Sequence, residues 1–477
     1  MRVSVLVLCA LICLFVVLAE ARQRRENQTG ARSLERRHGN RIRENVGHQE
    51  NVARRGNVGR RGNRLAARGK NSRRRRQNAA RKNRKRRNLA KKKNHRTKAK
   101  SRREGTSTAS SGSSYAVLPL DFDQNYMRTT DSIQFERVFL AHRYGLSFAA
   151  TTGRTALANT GNMQYTCKGF IGGQKFIFLP DTGSSNIWVP GPHCESKACK
   201  VHNRYHPGKS STYVKNGTAF AIDYESGSVE GVLAMDNMKV AGLTVTNQTF
   251  AMTTKEPGSV FVKSKFDGIL GLGYQSISVD NVKTLVQNMC SEDVITTCVF
   301  AICMRGGGSS SRGGALIFGS TDTSAYTGSH SYTYTPVTKQ GYWQFKLQGI
   351  YVGGTKVGGP IQAIVDSGTS LITAPPRIYK KINQILGCTE TSSGECWMEC
   401  SKAVPYYEFE VAGVKLRLPG HKMMMRVKTK KGRTICLSAV TLLDGPVILG
   451  DSLIRHYCVI FDLAKNRIGF AATTYSN

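Results

Sequence analysis

Asp181-Thr182-Gly183-Ser184-Ser185 and Asp366-Ser367-Gly368-Thr369-Ser370 repeat one order of carboxylate, hydroxyl, glycine and hydroxyl, roughly 185 residues apart. Some 80 to 90 residues beyond them come Phe266-Asp267-Gly268-Ile269-Leu270-Gly271 and Val447-Ile448-Leu449-Gly450-Asp451. Two such copies, each with a downstream partner, describe a chain of two similar halves whose carboxylates meet. Hydrolysing a peptide without a metal or a covalent intermediate takes a base to activate water and an acid for the departing groups. Two aspartates about 3 Å apart can supply both, since at an effective dielectric near 20 their repulsion is ~5 kcal/mol. Such a pair holds one proton over a wide acidic range and titrates as a unit. Ser184 and Thr369, three residues after each Asp, place hydroxyls where they can donate to the carboxylates. Ordinary Asp-Gly hairpin turns would account for the tripeptides but not for the duplicated surroundings.

The elements that must position these groups are strands. Phe176-Ile177-Phe178-Leu179 leads into the first motif and Ala363-Ile364-Val365 into the second, so each carboxylate ends a strand on a tight Gly turn. The 48 glycines and many Val/Ile/Thr/Tyr runs of strand length predict an all-β fold. Helical periods are few, and the clearest helices are expected at 281–289 and 376–386. After maturation about 315 residues suit two related β lobes with the cleft between them.

At these residues the chain resembles the pepsin-like aspartic proteases, closest to their cathepsin D branch. The resemblance runs from Tyr115 to the C-terminus, about three quarters of the chain, and includes Asp181 through Pro190, Tyr213 through Thr218, Gly341-Tyr342-Trp343-Gln344 and Phe461-Asp462. It implies a bilobal acid protease with Asp181 and Asp366 as the catalytic pair. Thr182 and Ser367 would exchange hydroxyl bonds between the halves. Tyr224 would be the tyrosine of a flap over the cleft, with Trp188 bonded to it. Trp188, Phe266 and Ile269 would line a pocket for an apolar side chain. Arg143-Tyr144 falls where a zymogen of this family lays Lys-Tyr across its own aspartates. The resemblance also implies the Cys194–Cys199 and Cys400–Cys436 disulfides and a glycan on Asn216. It implies protein or peptide substrates, no cofactor and no metal, and a monomer.

Four positions depart from the family pattern. Pro180 precedes Asp181 and removes a strand donor. Glu225 takes a flap position that is usually Gly. The 170–174 turn is short, and 358–362 lacks a cysteine loop. Pro180 and Glu225 leave a catalytically impaired, peptide-binding pseudoprotease as the alternative reading.

The rest of the chain is arranged around this core. Residues 1–21 read as a secretory signal, with one arginine, an apolar run from Val3 to Leu18 and Ala19-Glu20-Ala21. No other stretch approaches a membrane-spanning length. Residues 22–104 hold about 33 Lys/Arg against about 5 acidic residues, some +28 of the formal net charge of +39. Such a segment cannot bury a core and is expected to be disordered. It reads as a basic leader, cut at Arg73 to Arg76 or at Arg84 to Arg87, or as a tether for polyanions. Nucleic acid is not expected, because the charge lies in one tail without interleaved aromatics. Residues 105–155 form a Gly/Ser linker and an inhibitory propeptide, 156–335 the N-terminal lobe and 336–477 the C-terminal lobe. The destination is the secretory pathway, secreted or lysosomal. Cys388 and Cys396 pair by spacing alone, and Cys167, Cys290, Cys298, Cys303 and Cys458 have no readable partner; that odd count implies a free thiol or an intermolecular bridge. Asn27, Asn216 and Asn247 head glycan sequons.

Overall fold

A computed structural model describes residues 115–122, 128–129, 140, 143–144, 165–222, 229–256, 258–305, 312–391, 395–429 and 432–474. These lie in one compact unit, Ala109–Asn477. The signal segment, the basic leader, Asn27, Tyr224 and Glu225 fall outside the described residues. Among those described, strands form sheets of 13, six, four and five members, and no helix is long and apolar enough to cross a membrane. The fold is all-β and bilobal.

Both halves build the same strand arrangement. The Gln174–Asp181 strand runs parallel to Gly268–Gly271, which pairs antiparallel with Ile187–Pro190, itself parallel to Leu243–Lys255. In the second half Ile361–Val365 runs parallel to Val447–Leu449, which pairs antiparallel with Ile372–Ala374, itself parallel to Val440–Leu442. The duplicated motifs therefore occupy equivalent places. In the first strand Phe176 and Phe178 turn into the core while Ile177 and Leu179 pack on the cluster around Trp188, the two-residue period of a strand covered on both faces. Phe300 stacks on Phe461 at 4.7 Å between ring centroids, and Trp343 meets Phe461 edge-on at 5.0 Å. The Trp343 indole N–H donates to the Leu272 carbonyl at 2.9 Å, so a C-terminal-half ring is tied beneath the first-half loop.

The 376–386 helix is present as Pro376–Leu386, closed by Gly387 at φ 53°. The other expected helix is shorter and later, Leu285–Ser291. Asp280 and Asn281 adopt φ of 59° and 51°, incompatible with a continuing helix, and Thr284 starts the helix through a reciprocal side-chain cap with Gln287. Ahead of the duplicated core, the Ala116–Phe122 strand pairs with Arg312–Phe318 over its length and touches Tyr165–Ile171 at its end. It turns Ala116, Leu118 and Leu120 inward.

The structure joins Cys194 to Cys199, Cys388 to Cys396 and Cys400 to Cys436, and also Cys290 to Cys298 and Cys303 to Cys458. Among the described residues Cys167 is the free thiol, buried on its strand.

Candidate active site

Asp181 ends its strand and Asp366 directly follows Ile361–Val365; they are 4% and 0% exposed. Each carboxylate is held by its own turn. Gly183 N–H donates to Asp181 Oδ1 at 3.1 Å and Gly368 N–H to Asp366 Oδ1 at 2.9 Å. The Ser184 and Thr369 hydroxyls donate to the Oδ2 atoms of Asp181 and Asp366.

The halves are locked by four reciprocal bonds. Thr182 N–H donates to Ser367 Oγ at 3.1 Å and Ser367 N–H to Thr182 Oγ1 at 3.0 Å. Thr182 Oγ1 donates to the Val365 carbonyl at 2.9 Å, and Ser367 Oγ to the Pro180 carbonyl at 2.9 Å. The glycines are required by this closeness. A Cβ on Gly183 would lie 2.6 Å from Asp366 Oδ1, and one on Gly368 would lie 2.3 Å from Asp181 Oδ1. Each turn thus faces the opposite carboxylate.

Pro180 does not cost the site a ladder bond, contrary to the concern raised by its lost donor. Ile177 and Asp181 present their carbonyls to the Gly268–Gly271 side, accepting from Asp267 and Leu272 at 2.7 and 2.8 Å. Backbone direction alternates, so Pro180 points the other way, beyond the last pair with the neighbouring strand, Cys167 with Phe178. Its carbonyl on that side is the one Ser367 uses.

Arg143 and Tyr144 lie over the pair. The Arg143 guanidinium donates to Asp181 Oδ1, lies 3.6 Å from Asp366 Oδ2, and donates from Nε to the Gly183 carbonyl at 3.1 Å. The Tyr144 hydroxyl donates to Asp366 Oδ2 at 2.7 Å. Leu140, one helical turn earlier, is buried with Leu443 and Ile448, and the Tyr144 ring meets Tyr342 at 4.9 Å. Tyr342 was not singled out in the sequence, although it sits in the quoted Gly341-Tyr342-Trp343-Gln344 run.

The two carboxyls are driven apart in acidity. Burial, and then Asp366, push Asp181 up despite Arg143 and Ser184. Burial also pushes Asp366 up, but Arg143 with the Thr369, Tyr144 and Gly368 donors outweighs it and holds Asp366 below the usual carboxylate range. That split is the behaviour of two buried carboxyls in one site. Tyr144 is raised well above its ordinary value by burial and by Asp366, so its hydroxyl keeps its proton and donates.

Trp188, Phe266 and Ile269 share one buried cluster with Phe220 and Phe261, the last edge-on to Trp188 at 5.4 Å. Trp188 Nε1 is buried without a partner among the described residues, and Tyr224, its expected partner, lies outside them. Asp267 braces the first Asp strand, accepting from Ile177 N–H at 2.8 Å and from the Asn203 backbone and side chain at 2.9 Å each. Only its place in the Phe266-Asp267-Gly268 motif could have pointed to it. Asn216 and Asn247 are solvent-exposed. Cys194, Cys199 and Glu256 bring possible metal-binding atoms within 4.8 Å, but the two sulfurs are joined as a disulfide and are not thiolates.

Residues 164–473 match the family described as "Eukaryotic aspartyl protease". The chain is similar to cathepsin D of Chionodraco hamatus, 40% identical over 345 residues, spanning 69% of this chain and 86% of that protein. Cathepsin E of Rattus norvegicus is 40% identical over 327 residues, 66% of this chain and 81% of the relative. Gastricsin of Homo sapiens is 39% identical over 308 residues, 62% and 78% of the two chains. With the paired Asp loops and their mutual lock, these matches identify the chain as a member of the eukaryotic aspartyl protease family, an aspartic-type endopeptidase.

Proposed function

We propose that this endopeptidase is made as a zymogen on the secretory route and, once its pro-segment is removed, cleaves peptides at acidic pH with Asp181 and Asp366. The observation that carries the reading is the Arg143 guanidinium set against both carboxylates while Tyr144 bonds to one of them. A cation there opposes protonation of the pair, most strongly at Asp366, and occupies the place of the attacked peptide and its water. With Arg143 gone the pair shares one proton. The ionised carboxylate takes a proton from water as its oxygen attacks the carbonyl carbon, and the protonated one donates to the carbonyl oxygen. Collapse of the tetrahedral intermediate breaks the C–N bond, with the proton taken from water passing to the leaving nitrogen and a hydroxyl proton of the diol returning to the carboxylate that had donated one. The acid and base roles belong to the pair. Ser184 and Thr369 hold the carboxylates in plane, and Thr182 and Ser367 hold the two turns in register.

Supporting the route are the signal-like residues 1–21 and five disulfides, which persist in oxidising compartments. Within this reading the basic 22–104 leader and the 105–155 propeptide are removed, and the 156–335 and 336–477 lobes remain. The apolar Trp188 cluster favours hydrophobic side chains beside the cut bond. The product is a glycosylated monomer, secreted or lysosomal.

The test is cleavage of a quenched hydrophobic peptide from pH 3 to pH 7, with and without pepstatin. Acid-dependent, pepstatin-sensitive turnover that disappears in Asp181→Asn is expected. Tight pepstatin binding by the processed chain without turnover would overturn the catalytic reading and leave a peptide-binding pseudoprotease.

A further inference from the structure

Between Val411 and Leu443 the chain carries eight lysines and arginines and no aspartate or glutamate. The fold leaves much of this charge exposed to solvent. The Val414–Leu418 strand buries Leu416 and Leu418 and exposes Lys415 and Arg417. The Gly420–Met423 turn exposes His421 and Lys422. The Met424–Lys428 strand buries Met425 and Val427 and exposes Arg426 and Lys428, two cations about 7 Å apart along one face.

Acidic neighbours compensate only part of this row. Buried Glu408 serves both Lys415 and Arg417, at 3.3 and 2.9 Å, and Glu399 pairs with Arg433 at 2.6 Å. Lys422, Arg426 and Lys428 have no acidic partner among the described residues. Uncompensated cations in a row repel one another, and a bound polyanion relieves that repulsion by displacing counterions.

We propose that the 420–428 turn and strand bind a sulfated polysaccharide chain through Lys422, Arg426 and Lys428. The chemistry of the face favours this polyanion over others. Residues 414–433 contain no Phe, Tyr or Trp, and the neighbouring Tyr351 and Tyr406 rings are capped by Lys415 and Arg417 at 4.0 and 4.2 Å, which leaves little open aromatic face for unstacked bases. Met425 and Val427 point into the protein and Met424 is half-buried, so the strand offers no fully exposed apolar side chain for insertion into an anionic membrane. The site belongs to the folded core and is separate in sequence from the basic 22–104 leader. Its strand is edged by Arg128–Thr129, within the 105–155 segment, so the row described is that of the uncut chain.

The leader is itself polybasic, so the experiment on the full chain must resolve position. Lysine acylation rates would be mapped by mass spectrometry with and without a heparin-class chain. Lys422 and Lys428 are expected to label roughly threefold or more slowly with the chain present, an effect lost at high salt. The Lys422→Gln/Arg426→Gln/Lys428→Gln variant is expected to lose roughly tenfold or more in affinity at low salt. The Lys422→Arg/Arg426→Lys/Lys428→Arg variant should retain it, with both thermal transitions unchanged. Protection confined to leader lysines would overturn the proposal. Equal protection by single-stranded polynucleotide or by phosphatidylserine vesicles would overturn it as well.

Discussion

Replacing Arg143 with alanine isolates the contact that covers the Asp181 and Asp366 carboxylates. Its side chain is 9% exposed, and the carboxylates beneath are more buried still. At 3.6 Å and an effective dielectric near 20, the gross attraction to Asp366 alone is about 4–5 kcal/mol. Part of that offsets desolvation, and removing one partner of a buried pair costs about 3–5 kcal/mol. The balance between covered and open cleft should therefore move toward open by roughly two to four powers of ten near neutral pH. The pH dependence follows from Asp366. Its pKa in the covered state is depressed, so covering is favoured while Asp366 is ionised, and that contribution is lost as pH falls through the depressed value. The uncut wild-type chain should open only on strong acidification, and Arg143→Ala should open at higher pH. Binding of fluorescent pepstatin to the uncut chain from pH 3 to pH 7 reads this directly, before processing intervenes. Equal affinities and equal pH midpoints for wild type and Arg143→Ala would refute the reasoning.

Thr182→Ala removes the hydroxyl between Val365 and Ser367 and leaves two buried groups unpaired, so urea denaturation should register a loss of ~2–4 kcal/mol. Glu256 is 4% exposed, and burial first, with Asp267 adding, pushes its pKa to about 7 although Thr253 opposes. A raised carboxyl contributes stability that is present below the unfolded pKa and lost as pH rises through the folded one. Wild type should therefore lose on the order of 3 kcal/mol between pH 4.5 and 7 from this group, and Glu256→Gln should flatten that slope in melts across the interval. Cys303–Cys458 closes a loop of sequence separation 155, so Cys303→Ala/Cys458→Ala should be less stable by about 5 kcal/mol in chemical denaturation.

The carboxylates, their hydroxyl partners and the strands behind them were legible because local sequence dictates a strand that stops at a Gly turn, and duplication dictates that two such turns meet. What local sequence does not carry is which distant groups fill the space around them. Cys303 and Cys458 sit on neighbouring strands, Val299–Met304 and Tyr457–Asp462, a juxtaposition made only by the assembled sheet. Tyr342 gains its place from Tyr144, about two hundred residues earlier. The effect of Pro180 could not be judged until the direction of its backbone in the ladder was known. The Leu285–Ser291 helix was mislocated because left-handed Asp280 and Asn281 interrupt a stretch whose apolar spacing alone looks continuous.

The Ala116–Phe122 strand carries a consequence for maturation. It lies inside the 13-stranded sheet, and on the proposed reading it belongs to the part that is discarded. Cutting the chain after it removes a covalent link but none of the bonds to Arg312–Phe318, so the severed strand stays bound as a peptide ligand would. Its departure leaves Arg312–Phe318 with an unpaired edge and a groove shaped for small and branched apolar residues at every second position. On that reading the sheet is a receptor for a strand, and the mature chain has an edge that another segment can take.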